Sequence, residues 1–295
     1  MIKKLLWLFL LLPICTQAQI SGRLLDSETQ EPIPYAQITV AHPKTQIYTT
    51  ENGHFSFTQL DKNTSYVLHI DALGYFNKEM NSSELNHQQD IYLDLNEEVL
   101  PELYIIPENA KTKIITYGQT KEGSERTLVG GCSPEYLESL ADEQTNDKFK
   151  SGEYGILFRN KGLSKILSAH LHLHKNYLKK ALIKIQLYEV IDGKPSNPIV
   201  HEPIIFNIND KQTGWFKINL ENQNIYINKD VKRVIMFIKM IDKVDYPDET
   251  DNCLYFTGIF PATSNLMIYR HLNDDGFSRV PISIPLYLTA ETYSW

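Results

Sequence analysis

The run His170-Leu171-His172-Leu173-His174 is the part of the chain best suited to chemistry. On a strand, side chains alternate between faces, so the imidazoles of His170, His172 and His174 would share one face while Leu171 and Leu173 face the core. Neighbours on one face lie about 6 to 7 Å apart, near enough to share a metal ion. Such a site needs a third or fourth donor, and none is legible nearby; the competing reading is a polar, solvent-facing strand surface. Trp215 follows Gly214 at a strand start. It offers either a stacking platform for a sugar or a core tryptophan. Asp242, Asp245, Asp248, Glu249 and Asp251 crowd one segment, and Asn273-Asp274-Asp275-Gly276 forms another oxygen-rich stretch. Calcium uses such oxygens, but the first segment lacks the spacing and glycine of an EF-hand, so a solvated acidic loop is expected. A carboxylate pair for hydrolysis would also have to come from there. Cys132, in Gly130-Gly131-Cys132-Ser133-Pro134, precedes a segment that starts like a helix, where a thiolate is favoured. No protease signature surrounds it. Gly-x-Ser-x-Gly, His-Glu-x-x-His and the phosphate-binding glycine loop are absent.

The elements that would position these residues follow an export signal. Lys3 and Lys4 precede the apolar run Leu5 to Leu12, which is too short to span a bilayer as a helix. Thr16-Gln17-Ala18 supplies small residues for cleavage after Ala18, giving a signal peptide over residues 1–18. Ile14 stands where a lipoprotein peptidase needs a small residue, which argues against lipidation at Cys15. No other apolar run is long enough to span a membrane. Removing Lys3 and Lys4 from the 29 basic residues leaves 27 against 36 acidic ones, a net charge of −9. Without a basic stripe, that balance excludes nucleic acid as a partner. Cys132 and Cys253 then remain as a candidate disulfide in an oxidising compartment.

Period-two alternation dominates the mature chain. Ile20-Gly22-Leu24, Ala36-Ile38-Val40, Phe55-Phe57, Tyr66-Leu68-Ile70 and Ile91-Leu93-Leu95 each place apolar residues on one face. Asn52-Gly53 is suited to a turn with positive φ. About seven short strands at this spacing predict a small sandwich. Residues 107–150 are polar and glycine-containing and read as a linker, with a short helix expected over Pro134 to Leu140. From Tyr154 onward further alternating segments follow. Val231 to Met240 is more continuously apolar than the other segments and predicts a central strand. Eight to ten strands in residues 151–295 suit a jelly-roll-like β-sandwich.

Gly22, Asp26, Glu31-Pro32-Ile33-Pro34, Ala36, Asn52-Gly53, Phe55 and Ala72-Leu73-Gly74-Tyr75 together resemble the carboxypeptidase regulatory-like domain, a transthyretin-like β-sandwich. The resemblance covers residues 19 to 95, within a domain expected over 19–106. In that family such domains accompany metallocarboxypeptidases or precede outer-membrane transporter barrels. The chain has no His-x-x-Glu, the metal pair of those peptidases, and the remainder is too short for a large barrel. Gly193-Lys194-Pro195, Gly214-Trp215, Asn219-Leu220, Gly258-Ile259-Phe260 and Tyr269-Arg270 are similar to a domain that follows regulatory-like domains in exported Gram-negative proteins. That resemblance implies a sandwich and no activity. The expectation is an exported, all-β, non-catalytic binding or scaffolding protein of a Gram-negative periplasm or cell surface. It needs no cofactor, and its partner would be an envelope protein or a glycan. The rivals are a carbohydrate-binding accessory protein, marked by an exposed aromatic patch, and a hydrolase on the second sandwich, marked by converging carboxylates or a His–carboxylate pair.

Overall fold

The computed structural model describes residues 20–61, 63–86, 89–96, 104–132, 152–200, 202–247, 253–271 and 276–295. The expected signal peptide, the expected helix over Pro134 to Leu140, and Asp248, Glu249, Asp251 and Asn273 to Asp275 lie outside these residues. The chain divides into two compact units, residues 1–97 and 98–295, and is all-β. No helix among the described residues is long and apolar enough to cross a membrane.

The first unit contains β1 (Ile20–Asp26), β2 (Gln37–Val40), β3 (Thr45–Tyr48), β4 (His54–Phe57), β5 (Val67–Asp71), β6 (Lys78–Asn81) and β7 (Asp90–Leu93). They form two sheets in the orders β4-β1-β7 and β3-β2-β5-β6. Alternation fills the core between them with Leu24, Ile38, Phe55, Phe57, Leu68, Ile70 and Leu93. Gly53 has φ +74°, and a Cβ there would come within 2.5 Å of the Leu24 carbonyl oxygen, so the Asn-Gly turn requires its glycine. Asp26 closes the turn after β1. It accepts the amide protons of Glu28 and Thr29, each at 2.8 Å, and the Tyr75 hydroxyl proton at 3.0 Å. The Thr29 amide is the largest influence holding this carboxyl below its ordinary range. Burial, then the bond to Asp26, pushes the Tyr75 phenol up to about 12.

The second unit contains β8 (Lys111–Gly118), β9 (Ser124–Cys132), β10 (Gly152–Arg159), β11 (Leu163–Leu173), β12 (Lys175–Asn176), β13 (Leu178–Ile191), β14 (Lys194–Pro198) and β15 (Ile204–Asn209). It continues with β16 (Gly214–Asn219), β17 (Tyr226–Ile227), β18 (Arg233–Asp245), β19 (Cys253–Gly258), β20 (Met267–His271), β21 (Ser278–Val280) and β22 (Leu286–Ser294). One sheet runs β14-β13-β18-β10-β20-β21, with β15 also on β13. The other runs β16-β11-β22-β8, with β17 also on β11. A short third sheet is β12-β19-β9. The chain crosses between the two large sheets at β10 to β11, β15 to β16, β17 to β18 and β21 to β22, and their inner faces share one core, as in a jelly-roll-like sandwich. Ile156, Ile185 and Met236 enter it from the first sheet, and Ile166, Leu171 and Leu288 from the second.

The expected linker over 107–150 is corrected here. Its described part is largely sheet, because β8 extends the second sheet and β9 pairs with β19. As an edge strand β8 is mostly exposed and buries only Tyr117 fully, so its sequence reads polar. The acidic segment is corrected too: Asp242 and Asp245 stand on β18, not in a loop. By contrast β18 is central, between β13 and β10, and Val234, Ile235, Met236, Phe237 and Ile238 are all buried.

Candidate functional site

The second sheet of the second unit presents one face to the core and one away from it. Along β11, Leu171 and Leu173 are fully buried in the core, as alternation requires. His170 and His172 project from the opposite face. Antiparallel register sets Lys217 and Tyr287 on either side of His170, and Trp215 beside His172. The rings form a contiguous patch. His170 stacks on Tyr287 with centroids 4.2 Å apart and planes 5° from parallel. Trp215 lies 5.1 Å from His172 and 5.4 Å from Tyr287. Trp215 is 39% exposed, so it is a surface residue and the core-tryptophan reading is set aside.

Polar groups surround the rings. The Trp215 indole N–H donates to Glu122 Oε1 at 3.0 Å, and the same oxygen lies 3.5 Å from His172 Nε2. Glu122 reaches the patch because its loop is pinned on both sides. The Gln119 amide donates to the Leu286 carbonyl at 2.9 Å, and the Gly123 amide to Thr257 Oγ1 at 3.1 Å. Ser168 Oγ lies 2.8 Å from His170 Nε2, and Thr289 Oγ1 lies 3.4 Å from it. Lys217 and Asn219 are exposed on the same face of β16. Burial, and then the Lys217 ammonium, hold His170 below the ordinary imidazole value, which favours a neutral ring.

The histidine run does not converge on a shared ion. His170 is engaged by Ser168 and Tyr287, His172 faces Glu122, and His174 has left the strand. The His174 amide donates to the Tyr255 carbonyl at 2.8 Å, and its Nε2 lies 3.9 Å from Glu125 Oε1. Among the described residues no group of three or more His, Cys, Asp or Glu side chains is placed to hold a metal. The solvent-facing strand expectation is also corrected, since His172 is only 9% exposed. Cys253 is disulfide-bonded, and the residue opposite it in the β9–β19 register is Cys132. Asp242 accepts the Lys243 amide proton at 2.9 Å and Asp245 pairs with the Lys243 ammonium at 2.8 Å.

Sequence reasoning missed Tyr287, Ser168 and Thr289, and it placed Glu122 in a linker. The usable signal was alternation in β22, where Leu286 and Leu288 point inward and leave Tyr287 and Thr289 facing out. A second ionised cluster lies on the other large sheet, on the face away from the main core. Arg270 donates to Glu153 at 2.7 Å through Nε, and its guanidinium sits 4.4 Å over the Phe237 ring. Burial there pushes the Lys239 ammonium down to about 8.

Residues 20–103 match the family model of the CarboxypepD_reg-like domain. The protein therefore carries a carboxypeptidase regulatory-like domain, formed by its first sandwich. No curated protein matches the sequence. Among solved structures, one likeness is to the cysteine protease and lectin-like domains of Cwp84, a surface layer associated protein of Clostridium difficile. It has 10% identity and a TM-score of 0.34, covering 48% of this chain and 32% of that one. Another is to the T13 viral particle of IBDV, at 6% identity and a TM-score of 0.28, covering 92% of this chain and 60% of that one. At such TM-scores neither likeness bears on function.

Proposed function

We propose that the protein is a non-catalytic binding protein of the Gram-negative cell envelope, exported to the periplasm or cell surface, whose second sandwich holds a glycan. The observation that carries this reading is the contiguous ring patch of Trp215, Tyr287, His170 and His172 on one sheet face. Aromatic faces stack on the apolar faces of sugar rings, while a few fixed polar groups orient the hydroxyls. Glu122, Lys217, Asn219 and Thr289 provide donors and acceptors around the rings. The disulfide at Cys253 supports an oxidising compartment. Non-catalytic action is favoured by the burial of the nearest nucleophile: Ser168, beside His170, is 3% exposed, so its hydroxyl is screened from a substrate on the sheet face.

The test is calorimetric titration of the full chain with soluble glucans, xylans and chito-oligosaccharides, with tryptophan emission followed in parallel. Saturable binding by one class is expected, with a shift in emission. Trp215→Ala should weaken it by about 30-fold, the effect of losing an aromatic anchor worth about 2 kcal/mol. Binding unchanged in Trp215→Ala, or no glycan bound, would overturn the glycan reading. A hydrolase activity abolished by one substitution would overturn the non-catalytic one.

A further inference from the structure

The other large sheet of the second unit carries a surface pocket of about 300 Å³, on the face turned away from the main core. Its lining includes Leu157, Arg159, Arg233, Thr263, Ser264 and Arg279. Strand register brings the arginines together. Arg159 on β10 stands directly opposite Arg233 on β18, and Arg279 on β21 stands opposite Ile268, which also lines the pocket. Like charges directly opposite on antiparallel strands destabilise the pair. Guanidinium groups remain charged in proteins, so the repulsion cannot be relieved by losing a proton.

A counter-charge is the usual remedy, and this chain has 36 acidic residues to supply one. Among the described residues none of them lines the pocket or pairs with Arg159, Arg233 or Arg279. The pocket wall adds hydroxyl donors from Thr263 and Ser264. That loop is anchored where the Asn265 side-chain amide donates to the Gly118 carbonyl at 3.1 Å. Planar guanidinium forks and hydroxyls, without a competing carboxylate, match the acceptor geometry of a phosphate or carboxylate group.

We propose that this pocket binds an oxyanion, a phosphate or carboxylate group carried on a small ligand. Its volume lies at the lower end of small-molecule sites, with room for more than the bare anion. The proposal is independent of the glycan patch, which occupies the opposite sheet, and either can fail without the other.

The experiment is calorimetry and thermal unfolding of the full chain in inorganic phosphate, D-glucuronate or chloride at matched ionic strength. Saturable binding of phosphate or glucuronate is expected, with a rise in melting temperature that chloride does not produce. The Arg159→Gln/Arg279→Gln variant should bind at least tenfold more weakly. Without added oxyanion, Arg233→Gln should melt higher than the parent because a like-charge pair has been removed. Response to phosphate alone assigns a phosphoryl ligand, and to glucuronate alone a carboxylate. Both oxyanions behaving as chloride does would overturn the proposal, as would equal binding by the double variant and the parent.

Discussion

His172 buries its Nδ1 without a hydrogen-bond partner, while its other nitrogen faces Glu122. An orphaned buried acceptor or donor costs about 1–3 kcal/mol. His172→Phe keeps a ring beside Trp215 and removes the orphan, so its stability in urea should equal or exceed that of the parent. Glycan affinity should fall in the same variant, because the polar edge of the patch is lost; a fall in both would mark His172 as simply structural. His170 gives a pH test. Its neighbours are Lys217 on β16, Tyr287 and Thr289 on β22 and Ser168 on its own strand. Its folded-state pKa lies below the ordinary imidazole value, so over the intervening range the unfolded chain binds more protons. Stability must therefore fall as pH drops below the unfolded value, about 6.5. The His170→Phe variant should lose less stability than the parent between pH 7.5 and 5.5 in denaturant titrations. The histidine spacing was legible because period two fixes the face. Their separate partners were not, because Glu122, Trp215 and Tyr287 come from three other segments.

At the scale of elements, strands buried on both faces announced themselves and exposed ones did not. The apolar run in β18 is visible because residues on both of its faces are buried, whereas β8 exposes most of its length and passes for a linker. Asp26 and Tyr75 were legible as motif residues, but only the fold joins them by a hydrogen bond. The end of β8 is nonetheless tightly specified. Gly118 has φ +116°, and a Cβ there would come within 2.3 Å of the Leu286 carbonyl oxygen and 2.6 Å of Ile156 Cδ1. Gly118→Ala should destabilise the second unit by about 1–3 kcal/mol. It should also weaken glycan binding, since Gly118 stands opposite Tyr287. Urea denaturation and titration of the same variant check both outcomes. On the other sheet, the buried Glu153 holds the part-buried Arg270. Glu153→Ala strands that cation and should cost about 3–5 kcal/mol, read from the denaturation midpoint.

At the scale of the whole molecule, the two units bury separate cores. Phe55, Leu68 and Leu93 belong to one; Ile156, Leu171 and Leu288 belong to the other. A unit with its own core unfolds as its own cooperative step. Calorimetry of the full chain should resolve two transitions, and substitutions should assign them. Phe55→Ala removes a buried ring from the first core, a loss of about 3–5 kcal/mol. Cys253→Ser removes the disulfide in the second unit, a loss of about 2–5 kcal/mol. Each kcal/mol moves the melting temperature by about 4–8 °C for a unit the size of the first and by about 2–4 °C for one the size of the second, so both shifts are readily measured. Phe55→Ala should lower one transition and leave the other in place, and Cys253→Ser should do the reverse. Reductant should reproduce the Cys253→Ser shift in the parent and have no effect in the variant. A single transition lowered by both substitutions would mean that the units fold as one. The glycan and oxyanion tests could then be read only on the intact chain. With two transitions, glycan and phosphate should each raise only the one sensitive to Cys253→Ser, because both sites lie in the second unit.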